Sequence, residues 1–401
     1  MKLNSNFRLL LAGQSLANIG DVLYIVSIIS VIYGLSGSAT AASFVPFTIT
    51  TSMFMSSLLT PVLIGKVNLK WLLTASQMGK TILLTGLGFM LSGITASNYY
   101  LIFVLIGLIA CLDGCANPIR QTLIPYYVEP DSLLRANSFA ETVTQVIQTA
   151  MWFTGSLLLV MMGQEQLIWL VTVLFAVASS LLCFLENMKE TPDKKEGNAA
   201  QMKAGWKTLK ATPVLRKMAW MEMLETFADT VWIAAILYAF VSDALNVGEK
   251  WWGFINGSFF LGLIIGSVYC ITYSSTIEKK TGAYIFAGSL AVVIATLLFS
   301  VTNIPIIALI LSILVGIFGQ IKNIPQQTVI QTSVPKEKLS TVYTSLGAIG
   351  TGFFGIGSLI MGILADLVGV RLVFGLSGLL LALVCVIVFK NRELFVRNIG
   401  K

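Results

Sequence analysis

Apolar stretches long enough to cross a lipid bilayer recur along the whole chain, and this recurrence limits the possible folds more than any other feature. A helix of about 20 apolar residues crosses a bilayer core of about 30 Å. The sequence contains twelve such stretches, at residues 8–33, 42–65, 72–94, 99–119, 137–161, 165–185, 218–241, 251–273, 283–302, 304–324, 341–364 and 372–389. It therefore predicts an all-α polytopic membrane protein with twelve transmembrane helices.

The number and placement of charged residues support a membrane protein. Only 11% of the 401 residues are charged, against about 25% in an average soluble domain. With the amino terminus in the cytoplasm, the lysines and arginines lie in loops, termini or helix ends on the cytoplasmic side, except Lys80, Lys250 and Arg371. This asymmetry follows the positive-inside rule, so we expect both termini in the cytoplasm. The net charge of +7 then reflects topology and contact with anionic lipid, and it does not indicate nucleic-acid binding.

Residue composition also excludes most catalytic chemistry. The chain has no histidine, which removes Ser-His-Asp hydrolysis and histidine metal sites. Its five cysteines all lie inside predicted helices without a CxxC motif, and no Gly-x-x-x-x-Gly-Lys-Ser/Thr loop for nucleotide binding occurs. We therefore predict no enzymatic activity, no metal site and no cofactor.

A long polar stretch divides the chain into two halves. Residues 186–217 lie between the sixth and seventh predicted helices. Their first part is highly charged, and Met202 to Leu215 has the pattern of a basic amphipathic helix lying against the inner leaflet. The predicted organisation is a six-helix bundle over 1–185, a cytoplasmic linker over 186–217 and a second six-helix bundle over 218–401.

A short repeat indicates that the two halves are related. The segment "QTLIPYYVEPDSLL" (121–134) follows the fourth predicted helix, and "QTVIQTSVPKEKL" (327–339) follows the tenth. One single-residue gap aligns their Gln-Thr, Pro and Leu residues. Internal duplication of this kind is common in transporters, where the substrate site lies between the repeats near the bilayer midplane. The repeat therefore predicts two pseudosymmetric bundles.

Three segments connect this architecture to a known family. The segments "LLLAGQSLANIGD" (9–21), "GCANPIRQTLIPYYVEPDSLLRANS" (114–138) and "WKTLKATPVLRKM" (206–218) resemble bacterial macrolide-efflux and bacilysin-type exporters of the major facilitator superfamily. The resemblance implies the major facilitator fold. It also implies proton-coupled export of a small molecule by alternating access.

Two departures from the family pattern affect the expected direction of transport. The loop after the second predicted helix, "GKVNLKW" (65–71), keeps the glycine and basic charge of the superfamily's Gly-x-x-x-Asp-Arg-x-Gly-Arg-Lys pattern but lacks its aspartate. The fifth predicted helix has "WFTGSLLL" (152–159) without the proline of the antiporter signature. Antiport is therefore less firmly indicated than the fold.

The seventh predicted helix carries three acids on one face. Glu222, Glu225 and Asp229 lie at i, i+3 and i+7 of an otherwise apolar segment, within a sector of about 60°. At 1.5 Å per residue, Asp229 is about 18 Å from the cytoplasmic end and Glu222 only about 7 Å. Ionisable residues inside a membrane are rare and often functional. Because the chain has no histidine, these carboxyl groups are the best candidates for carrying protons.

The first predicted helix has a corresponding polar face formed by Gln14, Asn18 and Asp21. An offset of 208 residues places Asp21 on Asp229, and the family resemblance implies that both helices line a central cavity. We therefore predict that Asp229, aided by Asp21 and Glu225, couples transport to protons. The predicted substrate-binding residues are Gln14, Asn18, Asp21, Glu222, Glu225, Asp229, Trp232 and Tyr238.

Three other charged residues suggest ion pairing or gating. Lys80 and Asp113 lie on successive antiparallel helices, each about 10 Å from the cytoplasmic end, so we predict a structural or gating pair. Arg120 lies where the fourth helix meets the cytoplasm, which suits gating, proton relay or contact with lipid phosphate. The acids of the seventh helix could likewise pair with basic residues and hold the bundle together.

The leading hypothesis is a secondary active exporter that exchanges protons for a small amphipathic or cationic molecule, such as a drug, antibiotic or secreted metabolite. We expect a monomer in the cytoplasmic membrane of a bacterium, whose partners are the solute, protons and the lipid bilayer. Two alternatives stay open: a proton-coupled uptake symporter, and a membrane receptor or assembly protein that does not transport.

Overall fold

The computed structural model describes residues 4–36, 39–64, 66–95, 98–187, 198–232, 234–248 and 250–395. Within these ranges the regular structure is entirely helical. The α-helices are α1 (Ser5–Ser36), α2 (Ala39–Ile64), α3 (Leu69–Leu91), α4 (Leu101–Tyr127), α5 (Leu133–Met162), α6 (Gln164–Cys183), α7 (Asn198–Ala211), α8 (Pro213–Asp229), α9 (Ala234–Ala239), α10 (Lys250–Thr272), α11 (Ser274–Lys279), α12 (Thr281–Val301), α13 (Pro305–Thr332), α14 (Lys336–Val368) and α15 (Val370–Asn391).

The helices match the predicted membrane spans in number and order. In the described part of the chain, nine helices are long and apolar enough to cross a membrane, and a bent pair, Pro213–Trp232 and Ile236–Ala244, forms a tenth. The helices α3 and α5, of 23 and 30 residues, occupy the remaining two predicted positions. The predicted all-α polytopic fold is therefore confirmed.

Long helices suit this sequence because a bilayer core offers backbone groups no water to bind, so each segment must satisfy its own hydrogen bonds. Side-chain hydroxyl groups add further hydrogen bonds within single helices. Thr122, for example, donates to the carbonyl oxygen of Pro118 at 2.8 Å in α4. Several helices also continue beyond the apolar stretch that predicted them, and α13 extends to Thr332 rather than ending near residue 324.

Two tight turns support the internal repeat. The helices α5 and α6 are joined by Gly163, whose φ is 79°, and α14 and α15 are joined by Gly369, whose φ is 88°. Left-handed backbone of this kind favours glycine because other residues clash there. The two glycines are 206 residues apart, the same separation as Gln121 and Gln327 in the repeated segments. The turn after the fifth helix therefore recurs after the eleventh.

The seventh predicted span, 218–241, differs from a single straight helix. It begins at Pro213, passes through a 3₁₀ turn over Thr230–Trp232 and ends in a π-helical turn over Phe240–Ala244, with a bend of 48°. Arg371, at the start of α15, donates to the carbonyl oxygen of Ala244 at 2.8 Å. The end of the bent span is thereby fixed to α15.

The chain forms two compact units. Unit 1 contains Met1–Glu129, Val146–Lys207 and Lys336–Thr351, and unit 2 contains Pro130–Gln145, Thr208–Pro335 and Gly352–Lys401. The beginning of α5 thus belongs to unit 2, and the beginning of α14 belongs to unit 1. The predicted division into 1–185 and 218–401 follows the sequence repeat and stays a prediction.

Each unit has its own apolar core. In unit 1, Leu23, Leu84, Ile106 and Phe175 are fully buried or nearly so, and they bring α1, α3, α4 and α6 together. In unit 2, the core is aromatic at its centre. Trp232 packs against the rings of Phe259, Phe299 and Phe374, with ring centroids 4.8 to 6.3 Å apart.

The linker contains the predicted helix, α7, although residues 188–197 of the linker lie outside the described residues. A methyl group at Gly205 would overlap the carbonyl oxygen of Thr341 and the hydroxyl of Ser345. One side of α7 therefore packs closely on the beginning of α14, within unit 1. Its contact with the inner leaflet stays a prediction.

Candidate functional site

A buried lysine joins two aspartates in unit 1. The Nζ atom of Lys80 lies 2.7 Å from Asp21 Oδ1 and 2.6 Å from Asp113 Oδ1. Lys80 is fully buried, and its ammonium group also lies 4.2 Å from the centroid of the Phe175 ring. We call Lys80, Asp21 and Asp113 the Lys80 triad. The structure brings Lys80 and Asp113 together as the sequence predicted, and it adds Asp21.

The surroundings of the Lys80 triad balance its charge. Arg120, two turns further along α4, interacts electrostatically with Asp113. Two cations therefore accompany two anions in this part of unit 1. Tyr24, one turn beyond Asp21 on α1, is buried, and its hydroxyl has no hydrogen-bond partner among the described residues. A balanced group of this kind is suited to holding α1, α3 and α4 in a fixed arrangement.

A second buried ion pair lies in unit 2. Glu225 Oε2 on α8 is 3.0 Å from Lys322 Nζ on α13. Both residues are buried, with exposed fractions of 8% for Glu225 and 4% for Lys322. The other carboxylate oxygen, Glu225 Oε1, is buried without a hydrogen-bond partner in the described part of the chain. An unsatisfied acceptor of this kind is destabilising, by about 1–3 kcal/mol or more when charged.

The remaining acids of α8 lie around the same lysine. Glu222 is half-buried and Asp229 is exposed. Both interact electrostatically with Lys322, but Asp229 forms no salt bridge with a described residue. We call Glu222, Glu225 and Asp229 the acidic face of α8. Three carboxyl groups share one lysine here, so the group has an excess of negative charge that a proton or another cation could neutralise.

The other predicted substrate-binding residues lie in different surroundings. Gln14 donates from Nε2 to Asn18 Oδ1 at 2.7 Å, and both side chains are half-buried on α1. Trp232 packs in the aromatic core of unit 2, and its Nε1 has no hydrogen-bond partner within the described ranges. Tyr238 is exposed on α9. The structure therefore groups these residues by unit, and the predicted meeting of Asp21 with Asp229 stays a prediction.

Lys322 was missed by the sequence analysis. Lys322 lies two residues before the end of the predicted helix 304–324, so it was assigned to the cytoplasmic helix ends. In the structure it lies ten residues before the end of α13. The available signal was the helix-compatible segment "IPQQTVIQT" (324–332), which precedes the Pro335 loop. Had that segment been included in the helix, Lys322 would have been recognised as a charge inside a span.

The repeated segments also contribute a polar contact. The Nδ2 atom of Asn137 donates to Gln331 Oε1 at 2.6 Å and to Thr328 Oγ1 at 3.1 Å. All three residues are buried and belong to unit 2. The beginning of α5 is therefore held to the end of α13 by side-chain amides.

Comparison with known proteins identifies the family. The model of the Major Facilitator Superfamily matches residues 10–248 and 223–397, which together cover nearly the whole chain. The chain belongs to the Major Facilitator Superfamily. Members of this superfamily carry small molecules across membranes, so the family predicted from the sequence is confirmed.

Two relatives within the Major Facilitator Superfamily match three quarters or more of the chain. The uncharacterized MFS-type transporter YfmI of Bacillus subtilis is 27% identical over 396 residues, covering 98% of this chain and 97% of its own. The multidrug efflux pump Tap of Mycolicibacterium fortuitum is 24% identical over 311 residues, 75% of each chain. The crystal structure of the human organic anion transporter MFSD10 has a TM-score of 0.79 at 12% identity, covering 96% of this chain and 99% of that one. That structural likeness establishes the shared fold.

Proposed function

We propose that this protein is a secondary active transporter that exports a small cationic or amphipathic molecule in exchange for protons. The observation that carries the proposal is the excess of carboxyl groups over lysine at the acidic face of α8. Such an excess is costly inside a membrane, because desolvated charges are stable only when paired. A site of this kind favours the binding of a proton or a cation.

The acids have different parts in this mechanism. Asp229 is exposed and forms no salt bridge with a described residue, so it can exchange a proton with water and carries the coupling proton. Glu225 and Asp21 each contact a lysine, so an ion that binds there must compete with that lysine. Alternating access then requires that proton and solute each bind the inward and outward states with different affinity.

The remaining predicted residues complete the proposal. Within unit 2, Glu222 and Tyr238 are the proposed solute contacts and Trp232 bounds the site. Within unit 1, Gln14 and Asn18 are the proposed solute contacts, and Arg120 acts in gating or proton relay. The relative Tap is a multidrug efflux pump, which supports export over uptake. The bacterial relatives support a place in the cytoplasmic membrane, where we expect a monomer with both termini inside.

Inverted membrane vesicles with an acidic interior test this function, because export from the cell becomes accumulation in the vesicle. The probes are ethidium, tetraphenylphosphonium and erythromycin. Vesicles with the wild-type protein should accumulate at least one probe when the pH gradient is present and lose it when the gradient is collapsed. Accumulation in none of the three, or accumulation without a gradient, would overturn proton-coupled export.

Asp229→Asn should abolish this gradient-driven accumulation. The ratio of probe concentration inside to outside should fall at least about tenfold, which corresponds to about 1.4 kcal/mol. Glu222→Gln should have a smaller effect because Glu222 lies nearer the cytoplasmic end of α8. Asp366→Asn, at an exposed aspartate of α14, is the matched control and should transport like the wild type. If Asp229→Asn still concentrates the probe fully, the coupling site lies elsewhere.

A further inference from the structure

We propose that Lys322 is the resident counterion of the binding site in unit 2, and that an incoming solute must displace its ammonium group from Glu225. This inference rests on the proposed function for the role of the acidic face of α8. It adds a competitor that belongs to the protein itself, and it specifies the solute as a monovalent organic cation with N–H donors.

The position of Lys322 makes it a fixed competitor. It projects from α13, and a methyl group at Gly288 would lie 3.0 Å from Lys322 Cβ, so α12 approaches the base of the side chain closely. The base of the lysine is thereby held in place. Its four-carbon stem stays flexible, and its ammonium group is a compact charge with rotatable donors. Lys322 can therefore move between acids that lie one or two helical turns apart.

The acidic face of α8 offers alternative partners for that ammonium group. Lys322 contacts Glu225 and interacts electrostatically with Glu222 and Asp229. If a solute cation takes over Glu225, Lys322 can shift to a neighbouring carboxylate. Asp229, which carries the coupling proton, releases one proton as one solute cation arrives. The net charge of the acidic face, Lys322 and the solute together is therefore unchanged. This exchange avoids a state in which either a buried lysine or a buried glutamate is left unpaired.

The free oxygen of Glu225 specifies the chemistry of the solute. Glu225 Oε1 is buried and accepts no hydrogen bond from a described residue. An N–H group of a protonated amine satisfies such an acceptor, whereas a quaternary phosphonium has no hydrogen to donate. The site should therefore favour protonated amines over cations of similar size without N–H groups.

A binding experiment on the purified full-length protein tests the role of Lys322. The probes are rhodamine 6G, a monocation with N–H donors, and tetraphenylphosphonium, which has none. Lys322→Met removes the competitor, so rhodamine 6G should bind roughly ten- to hundredfold more tightly, as expected for a charged hydrogen bond released to the ligand. Tetraphenylphosphonium should gain less. Lys322→Arg keeps a cation beside Glu225 and should not show this gain in affinity. Lys279→Met, at an exposed lysine of the same unit, is the matched control and should leave the affinity unchanged.

Transport measured with the same variants separates this inference from the proposed function. Lys322→Met should bind rhodamine 6G tightly yet lose gradient-driven accumulation in inverted vesicles. An unchanged or weaker affinity in Lys322→Met would overturn the competitor role of Lys322. This holds even if the wild type exports the solute in exchange for protons. If affinity rises but the wild type shows no gradient dependence, the counterion role stands and proton coupling fails. Should Lys322→Met not fold, Lys322→Gln, which removes the charge but can still donate to Glu225, must bind rhodamine 6G more tightly than the wild type does, by a smaller factor.

Discussion

At the scale of single residues, Lys80 and Lys322, the buried lysines that form salt bridges in the described part of the chain, have the same architectural role. The Lys80 triad connects α1 with α4 in unit 1, and the Glu225–Lys322 pair connects α8 with α13 in unit 2. In each half of the chain, salt bridges connect the first and the fourth spanning helix, directly in unit 2 and through Lys80 of α3 in unit 1. The sequence revealed which charges lie inside helices and on which face. It predicted Asp113 as a partner of Lys80, but it did not predict Asp21 as the second partner or Lys322 as the partner of Glu225, because depth along a helix does not determine which neighbouring helix a side chain meets.

The Lys80 triad leads to a prediction about stability. Lys80→Met leaves both Asp21 and Asp113 without the lysine that they share, whereas Asp113→Asn leaves the Asp21–Lys80 pair intact. Breaking a buried pair typically costs about 3–5 kcal/mol, so Lys80→Met should lower the thermal unfolding temperature more than Asp113→Asn does. Thermal unfolding of the purified variants in one detergent measures the order. Equal losses in the two variants would contradict a shared lysine, and Lys66→Met, at an exposed lysine, serves as the control.

At the scale of helices, close packing depends on glycine where α10 meets α13. A methyl group at Gly316 would overlap the carbonyl oxygen of Phe259, and one at Gly262 would overlap that of Ile313. Small residues allow helix backbones in membranes to approach each other closely. The bend of the seventh span belongs to the same scale but lacked a sequence signal. No proline or glycine lies between Ala219 and Ser242, and the break coincides with the packing of Trp232 into an aromatic core that only the folded chain assembles.

Gly316→Ala should therefore destabilise the protein, by about 1–3 kcal/mol, because overpacking forces two backbones apart. Gly319→Ala on the same helix is the matched control, since, apart from its own helix backbone, no atom of a described residue lies within 4 Å of the position that its methyl group would take. It should be neutral or slightly stabilising, because alanine favours a helix over glycine. Thermal unfolding of the two variants side by side is the measurement. If Gly316→Ala and Gly319→Ala had similar stabilities, α10 and α13 could move apart without loss of stability, which would contradict the prediction.

At the scale of the whole molecule, the sequence predicted the number, order and helical nature of the spans, because length and apolar composition decide whether a segment can cross a bilayer. It also predicted the duplication that the Gly163 and Gly369 turns support. It placed several helix ends too early, since helices such as α13 continue into polar sequence once neighbouring helices cover them. That error in length concealed Lys322, the one residue on which the mechanism in unit 2 most depends.

The predicted orientation of the chain can be tested without knowledge of the solute. A reporter that is active only in the cytoplasm, fused after Lys401, should be active in cells, because the basic residues place both termini inside. A second fusion in the linker after Glu196 should behave alike. Activity from a periplasm-only reporter at either position would contradict twelve spans with an inward linker.

The interleaving of the two units affects how the gene could be divided. The boundary between the sequence halves lies in the linker, but residues Pro130–Gln145 of the first half belong to unit 2, and Lys336–Thr351 of the second half belong to unit 1. A fragment ending in the linker would expose the buried amide of Asn137, which bonds Gln331 in the other fragment. Each fragment would therefore lack a segment that completes its unit, and the two are expected to be functional only when produced together. Fusion of this gene with another, or an exchange of halves between relatives, would have to carry both segments along.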